Sequence, residues 1–364
     1  RNGKNLWRKS MKKRSFALFL AVVLTVSLLA GCGSKEPKKE TANEPKQEEQ
    51  QKQEDTKITV TDQAGNTVTL EKPAEKVVTC FYGTSYAMIA LGLQDRIVGM
   101  ETNAEKRPIY ALAAPEMLVL PGVGSMKEFN AEAALELEPD LVLLPKKLKD
   151  TASTFEEVGI PVAICYPESQ ELLEEMLVMI ATLCGEPERA DAMIQYYEEE
   201  YAEIEDLTKN LKEEDKPTVY MGGNSAYTHT APKTMYQSTV IEKAGGRNVA
   251  ADLEGDYWAE VSYEQILEMN PDIFILPCGA KYTVEDVKAD PQLADITAVK
   301  NGAVYKMPEG FEEWDSCVPS GVLGVRWMLA TLHGDLYSMD EMREDAAVFY
   351  KEFYGFDINK SIIQ

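Results

Sequence analysis

The chain has 364 residues, 45% of them hydrophobic, with 37 lysines and arginines against 61 aspartates and glutamates and a formal net charge of −24. That acidity argues against nucleic acid as a partner, because phosphate binding needs clustered cations. Beyond an amino-terminal stretch no apolar run is long enough to span a bilayer, and the apolar content suffices for two cores over roughly 300 folded positions.

The amino terminus reads as a secretory signal. Lys12-Lys13-Arg14 precedes an almost unbroken apolar run over residues 16–30, and Leu29-Ala30-Gly31-Cys32 closes it at a small-residue cleavage site. The ten residues ahead of Met11 contain no methionine and are expected to lie upstream of the protein proper. Cleavage before Cys32 removes seven basic residues and no acidic one, which moves the net charge from −24 to −31. Residues 33–56 hold no large apolar side chain, so they cannot offset the entropy of folding and are expected to form a tether.

Residues 58–70 alternate apolar and polar side chains around Gly65-Asn66, a hairpin signal, and Pro73 ends it. Residues 76–80 read as a strand, 86–91 as a helix closing at Gly92, and 97–100 as the next strand. Residues 132–145, Glu-Ala-Ala-Leu-Glu-Leu-Glu-Pro-Asp-Leu-Val-Leu-Leu-Pro, recur at an offset of 132 as Glu-Gln-Ile-Leu-Glu-Met-Asn-Pro-Asp-Ile-Phe-Ile-Leu-Pro. In each copy a short amphipathic helix ends before a Pro-Asp turn, and an apolar run of strand length follows. A further strand is expected at 161–165 and a helix at 170–183. Beyond Pro187 the stripe Ala190, Ile194, Tyr197, Tyr201, Ile204, Leu207 and Leu211 predicts a helix of about 25 residues, ~38 Å long. Strands at 217–221, 273–276 and 302–306 and helices at 321–332 and 340–354 complete the chain.

This pattern implies an α/β fold of two Rossmann-like lobes joined by one long α-helix, with a ligand cleft where the carboxyl ends of the strands meet. The expected organisation is 1–31 upstream residues and signal, 32–56 tether, 57–168 first lobe, 169–215 inter-lobe helices, 216–335 second lobe and 336–364 a closing helix.

Several motifs carry a family resemblance: Asp62-Gln-Ala-Gly65 in the hairpin, the paired Glu-x-x-Leu-x-x-x-Pro-Asp units, Gly185-Glu-Pro-Glu-Arg-Ala190, Ala244-Gly-Gly-Arg-Asn248 and Trp314-Asp-Ser316. In this order, over about 300 residues, they resemble the substrate-binding protein of an ATP-binding-cassette (ABC) importer. The class is the one with a helical backbone between its lobes, which carries iron-siderophore, haem or cobalamin. Residues 29–32 resemble a bacterial lipobox, which implies acylation of Cys32 and a lipid-anchored protein on the extracellular face of the cytoplasmic membrane. The resemblance implies a monomer partnered by an ABC permease and its ATPase, with no cofactor of its own. It also matches the family's docking acids to Glu132 and Glu264, one per lobe, although each also suits the first turn of a helix. Lobe closure is expected to be modest, because a helix rather than a pair of strands joins the lobes.

Six residues before each of these glutamates, Met126 and Trp258 are expected at the cleft. Trp258, beside Tyr257, either stacks on a chelate ring or packs in a core. Lys127, Lys146 and Lys147 either meet the oxyanions of a chelate or face solvent. Tyr82, Tyr86, Tyr166, Tyr227 and Tyr257 fall at or just beyond strand ends, where a phenol can donate a hydrogen bond or, as a phenolate, ligate ferric iron. Trp314, Asp315 and Ser316, with Glu312 ahead, are expected on a cleft-edge loop, or else Asp315 caps the closing helix.

Five cysteines remain once Cys32 is set aside, none in a Cys-x-x-Cys pair, so no zinc or iron–sulfur site is indicated. Only two histidines are present, which disfavours a bare transition metal and leaves His229 as a candidate haem ligand and His333 as structural. The chain lacks a Gly-x-Ser-x-Gly elbow, a His-Glu-x-x-His pair, a phosphate loop and a dinucleotide fingerprint. The expectation is therefore a binding protein for an iron chelate, siderophore or haem. Cobalamin or an oxyanion such as molybdate is the alternative, and a surface-anchored enzyme the distant one.

Overall fold

The computed structural model describes residues 57–255 and 257–364. The expected signal, the lipidated Cys32 and the tether lie outside the described residues.

β1 (Ile58–Thr61) and β2 (Thr67–Leu70) pair antiparallel with Thr61 opposite Thr67. Gly65 supplies the left-handed turn conformation, φ 86°. Asp62 ties this turn together and to its neighbour: one carboxylate oxygen accepts from the backbone of Ala64 and Asn66 at 2.9 and 2.8 Å, the other from Ile164 at 3.0 Å. Gln63 accepts from the Tyr166 backbone at 2.6 Å and donates to the Leu172 carbonyl at 2.7 Å. The Asp-Gln pair thus pins the hairpin to the first lobe.

In that lobe β3 (Val77–Thr79), β4 (Ile97–Gly99), β5 (Leu141–Pro145) and β6 (Val162–Cys165) form a parallel sheet in the order β4-β3-β5-β6. In the second, β7 (Thr218–Met221), β9 (Arg247–Asn248), β11 (Ile273–Leu276) and β12 (Val304–Lys306) form another, ordered β12-β11-β7-β9. β8 (His229–Thr230) and β10 (Ala259–Glu260) make a separate antiparallel pair. The sequence repeat aligns β5 with β11, and its Pro-Asp turn does the same work in both sheets. Asp140 accepts from the backbone of Glu75 and Lys76 at 3.0 and 2.9 Å, at the start of β3. Asp272 accepts from the backbone and hydroxyl of Thr218 at 2.9 and 2.7 Å, at the start of β7. One carboxylate therefore stitches the central strand of each sheet to its neighbour.

The helices are α1 (Tyr82–Ala90), α2 (Pro108–Ala113), α3 (Ala131–Glu136), α4 (Ala152–Glu156), α5 (Gln170–Leu183), α6 (Pro187–Thr208), α7 (Tyr236–Lys243), α8 (Tyr263–Met269), α9 (Val284–Ala289), α10 (Thr297–Lys300), α11 (Gly321–Leu332) and α12 (Met339–Phe353). α1 begins about a turn before the expected start. α6 has 22 residues, about 33 Å at 1.5 Å per residue, shorter than the periodicity suggests. Its buried face runs through Ala190, Met193, Tyr196, Tyr197, Glu200 and Ile204, whereas Ile194, Tyr201 and Leu207 of the expected stripe are half-buried. The packing partners set this rotation. Tyr196 meets Phe349 and Phe353 of α12 with ring centroids 5.4 and 5.3 Å apart, and Glu200 turns inward to pair with Arg326 of α11. Fully buried Arg326 also pairs with Glu203 at 2.6 Å and Asp345 at 3.2 Å.

A single core joins the inner faces of both sheets, through Val77 and Leu141 in one and Val219 and Ile275 in the other, to α5, α6, α11 and α12. Two smaller cores cover the opposite faces. Among the described residues no helix is long and apolar enough to cross a membrane.

Candidate ligand-binding cleft

The carboxyl ends of the first sheet open on a cavity of about 730 Å³. The turn from β3 into α1 supplies Cys80, Phe81 and Tyr82, the segment after β4 supplies Glu101, Thr102, Asn103, Lys106 and Arg107, and the loop before α3 supplies residues 125–127. That last loop depends on Gly124, whose φ is 103° and where a Cβ would collide with the Glu128 carbonyl. The second lobe closes the cavity with Gly279 and Lys281, just beyond β11, and Glu313, between β12 and α11.

Four cations, Lys106, Arg107, Lys127 and Lys281, line this space against two carboxylates, Glu101 and Glu313. Lys106 donates to Asn103 at 2.7 Å, while Lys127 and Lys281 are exposed and meet no carboxylate among the described residues. Arg107 lies over the Tyr82 ring, 4.0 Å from its centroid, donates to the Tyr86 hydroxyl at 3.2 Å and forms an ion pair with Glu313. Burial opposes the arginine's charge, but Tyr86 and Glu313 outweigh it and hold the guanidinium above its ordinary range. Burial, then Glu313, pushes the Tyr82 phenol up to about 12 and Tyr86 further still. Both phenols are therefore protonated at neutral pH, and Tyr86 uses its hydroxyl to bridge Arg107 and Glu313. Deeper in, Glu101 accepts from Ser85 at 2.7 Å and from Tyr110, and Ser85 is linked to Thr79 at 2.6 Å. Burial, then Glu101, raises the Cys80 thiol to about 12, which leaves it unreactive.

Of the residues singled out from sequence, Tyr82, Met126 and Lys127 line the cavity, and Tyr86 lies fully buried beneath it. Lys146 and Tyr166 meet at the ends of β5 and β6, the ammonium 4.0 Å above the ring, but neither belongs to the cavity lining, and Lys147 is exposed beside them. Tyr227 donates to Asp290 at 2.6 Å and packs on Tyr263 and Tyr282, so its hydroxyl is engaged within the second lobe. Tyr257 is 82% exposed. Trp258 is half-buried against Gly223, and His229 sits on β8 opposite Glu260; both lie outside the lining.

Trp314 and Asp315 correct the expectation of a cleft-edge pair. Trp314 is fully buried, stacked on Phe311, and donates to the Tyr350 hydroxyl at 2.9 Å. Asp315 is buried near Cys278, its carboxyl raised by desolvation, and Ser320 rather than Asp315 precedes α11. Their apolar and aromatic neighbours draw this stretch into the core, leaving Glu313 to face the cleft. His333 is structural, with Nε2 3.1 Å from the Gly245 carbonyl oxygen. Glu132 and Glu264 are both exposed in the first turns of α3 and α8, behind the caps Asn130 and Ser262.

Phe81, Glu101, Lys106, Arg107, Lys281 and Glu313 are among the cleft residues that sequence patterns leave unmarked. Arg107 follows β4 at a distance with no periodic neighbour. The rule that ligands gather beyond strand ends could have nominated residues 100–107. Glu313 stands beside Glu312, and only the fold separates the buried acid from the cleft acid.

Two α/β lobes on a helical backbone, with a solute-sized cavity shared between them, have the build of a solute-binding protein, and the family match places the chain with those that serve ABC importers rather than with enzymes. The chain belongs to the periplasmic binding protein family, whose model matches residues 77–310. It is similar to the ABC transporter substrate-binding lipoprotein YvrC of Bacillus subtilis, 26% identical over 302 residues that cover 81% of this chain and 90% of the relative. It is also similar to the molybdate-binding protein MolA of Haemophilus influenzae, 24% identical with coverage of 81% and 90%. A periplasmic solute binding protein from Veillonella parvula shares the fold with a TM-score of 0.75 and 26% identity, covering 84% of this chain and 95% of that one. Further relatives bear the names of cobalamin-, petrobactin- and Fe(3+)-citrate-binding proteins.

Proposed function

We propose that the cargo is an anionic metal chelate, an iron-siderophore complex in the first place, captured in the cavity and handed to an ABC permease and its ATPase. The observation that carries this reading is the cationic lining, Lys106, Arg107, Lys127 and Lys281, in a chain whose net charge is −24. Such a local reversal of sign focuses anions into the cleft. A volume of about 730 Å³ lies within the ~300–1,000 Å³ of small-molecule sites and is far larger than a bare tetrahedral oxyanion. Phe81 and Tyr82 add aromatic surface for a chelate's organic part. The petrobactin- and Fe(3+)-citrate-binding relatives support iron, while MolA supports molybdate as the second reading. Glu132 and Glu264 would dock the two lobes on the permease, and acylated Cys32 would hold the protein at the membrane.

Native mass spectrometry and absorbance of protein purified from its own organism would identify the chelate that accompanies it. Titration with ferric citrate, a ferric catecholate and molybdate then tests the site. Removing the charge-assisted contact with Arg107→Gln should weaken the bound member about 10- to 150-fold, from ~1.5–3 kcal/mol. Equal affinity in the variant would refute the assignment.

A further inference from the structure

The strongest anion-binding group of the cleft is already engaged by the protein itself. Arg107 comes from the first lobe and Glu313 from the second, and Tyr86 closes a triangle with them, donating to Glu313 at 3.2 Å while accepting from Arg107 at 3.2 Å. The contrast with Arg326 is instructive. Its side chain is fully buried, and its carboxylates fasten helices together. The Arg107 and Glu313 side chains are 28% and 32% exposed and both line the cavity, so solutes reach the pair.

The backbone around Glu313 is fixed, because its neighbours Glu312 and Trp314 are buried and hydrogen-bonded to Tyr354 and Tyr350. Its carboxylate, by contrast, faces the cavity and is held there by Arg107 and Tyr86.

We propose that Glu313 is a resident competitor and a specificity determinant, occupying Arg107 in place of the cargo's anionic group until the cargo displaces it. The inference rests on the anionic-cargo reading. A carboxylate carried on the same protein competes at high effective concentration, on the order of millimolar or more. A small anion such as phosphate offers Arg107 nothing that Glu313 does not, and is turned away. A chelate that also reaches Lys127, Lys281 and the aromatic wall recovers elsewhere what the exchange costs. Glu313 thereby filters for size and multiple charge without touching the cargo's metal.

The test uses inorganic phosphate as probe on four proteins: wild type, Glu313→Gln, Glu313→Ser, and Glu313→Gln combined with Arg107→Gln. Thermal shift and calorimetric titration should show phosphate binding at least about tenfold tighter in both single variants than in wild type, with the gain lost in the double variant. A gain absent from both single variants overturns the proposal, as does one that survives the loss of Arg107. Ferric citrate, titrated into wild type and Arg107→Gln alone, tests the cargo reading separately. Equal affinity there overturns the anionic-chelate assignment and leaves the phosphate result standing.

Discussion

Glu312 ties the stability of this protein to pH. The side chain is buried, one carboxyl oxygen accepts from Tyr354 at 2.5 Å, and burial pushes the group from its ordinary 4.5 up to about 8, against the opposing pull of Ser320 and Tyr354. The folded chain therefore keeps a proton that the unfolded chain releases. The neutral acid's advantage is complete below about 4.5 and drains away as pH rises, at about 1.4 kcal/mol per pH unit, until it levels off above about 8. Between pH 5.5 and 7.5 that amounts to roughly 2–3 kcal/mol. Glu312→Gln keeps the shape and remains neutral throughout, so it should lack this part of the slope. Urea unfolding at both pH values should show wild type losing about 2–3 kcal/mol more than the variant over the interval. Parallel profiles for the two proteins would mean that Glu312 is ionised in the folded state and that the burial argument fails.

Replacing Arg326 with Met strands Glu200 and Asp345 without their buried cation and should cost about 3–5 kcal/mol in denaturant unfolding; a loss under about 1 kcal/mol would show that these acids find other partners. Asp140→Ala and Asp272→Ala should each cost about 1 kcal/mol, since both remove a partly exposed carboxylate from backbone N–H groups at a strand start. A large cost for only one would break the equivalence of the two lobes. Glu132→Ala with Glu264→Ala should leave chelate affinity unchanged and reduce uptake in cells, and normal uptake by the double variant would end the docking proposal.

Elements with strong local patterns were legible from sequence. The helices at Gln170–Leu183 and Gly321–Leu332 carry their own apolar periodicity and stop at clear breaks, and the duplicated Pro-Asp unit marks two lobes in the sequence itself. The face of α6 was not legible, because Tyr196 and Glu200 turn inward to suit Phe349, Phe353 and Arg326, more than a hundred residues away. The cleft divides in the same manner. Residues close behind strands, such as Tyr82, follow from topology. Arg107 and Glu313 are 206 positions apart and acquire meaning only as a pair, whereas Trp314, the most conspicuous residue of its loop, is claimed by the core.

The shared core beneath both lobes has a consequence for traffic at the membrane. Jaws hinged on flexible strands can swing wide, but these two halves grip a common mass of packed side chains, and prising them apart would tear it. An unloaded copy is therefore expected to present nearly the same outline as a loaded one, so that the two should compete for a single berth on the transporter. In reconstituted vesicles, excess empty protein should slow import; a rate indifferent to that excess would show that the gate distinguishes full from empty by something other than outline.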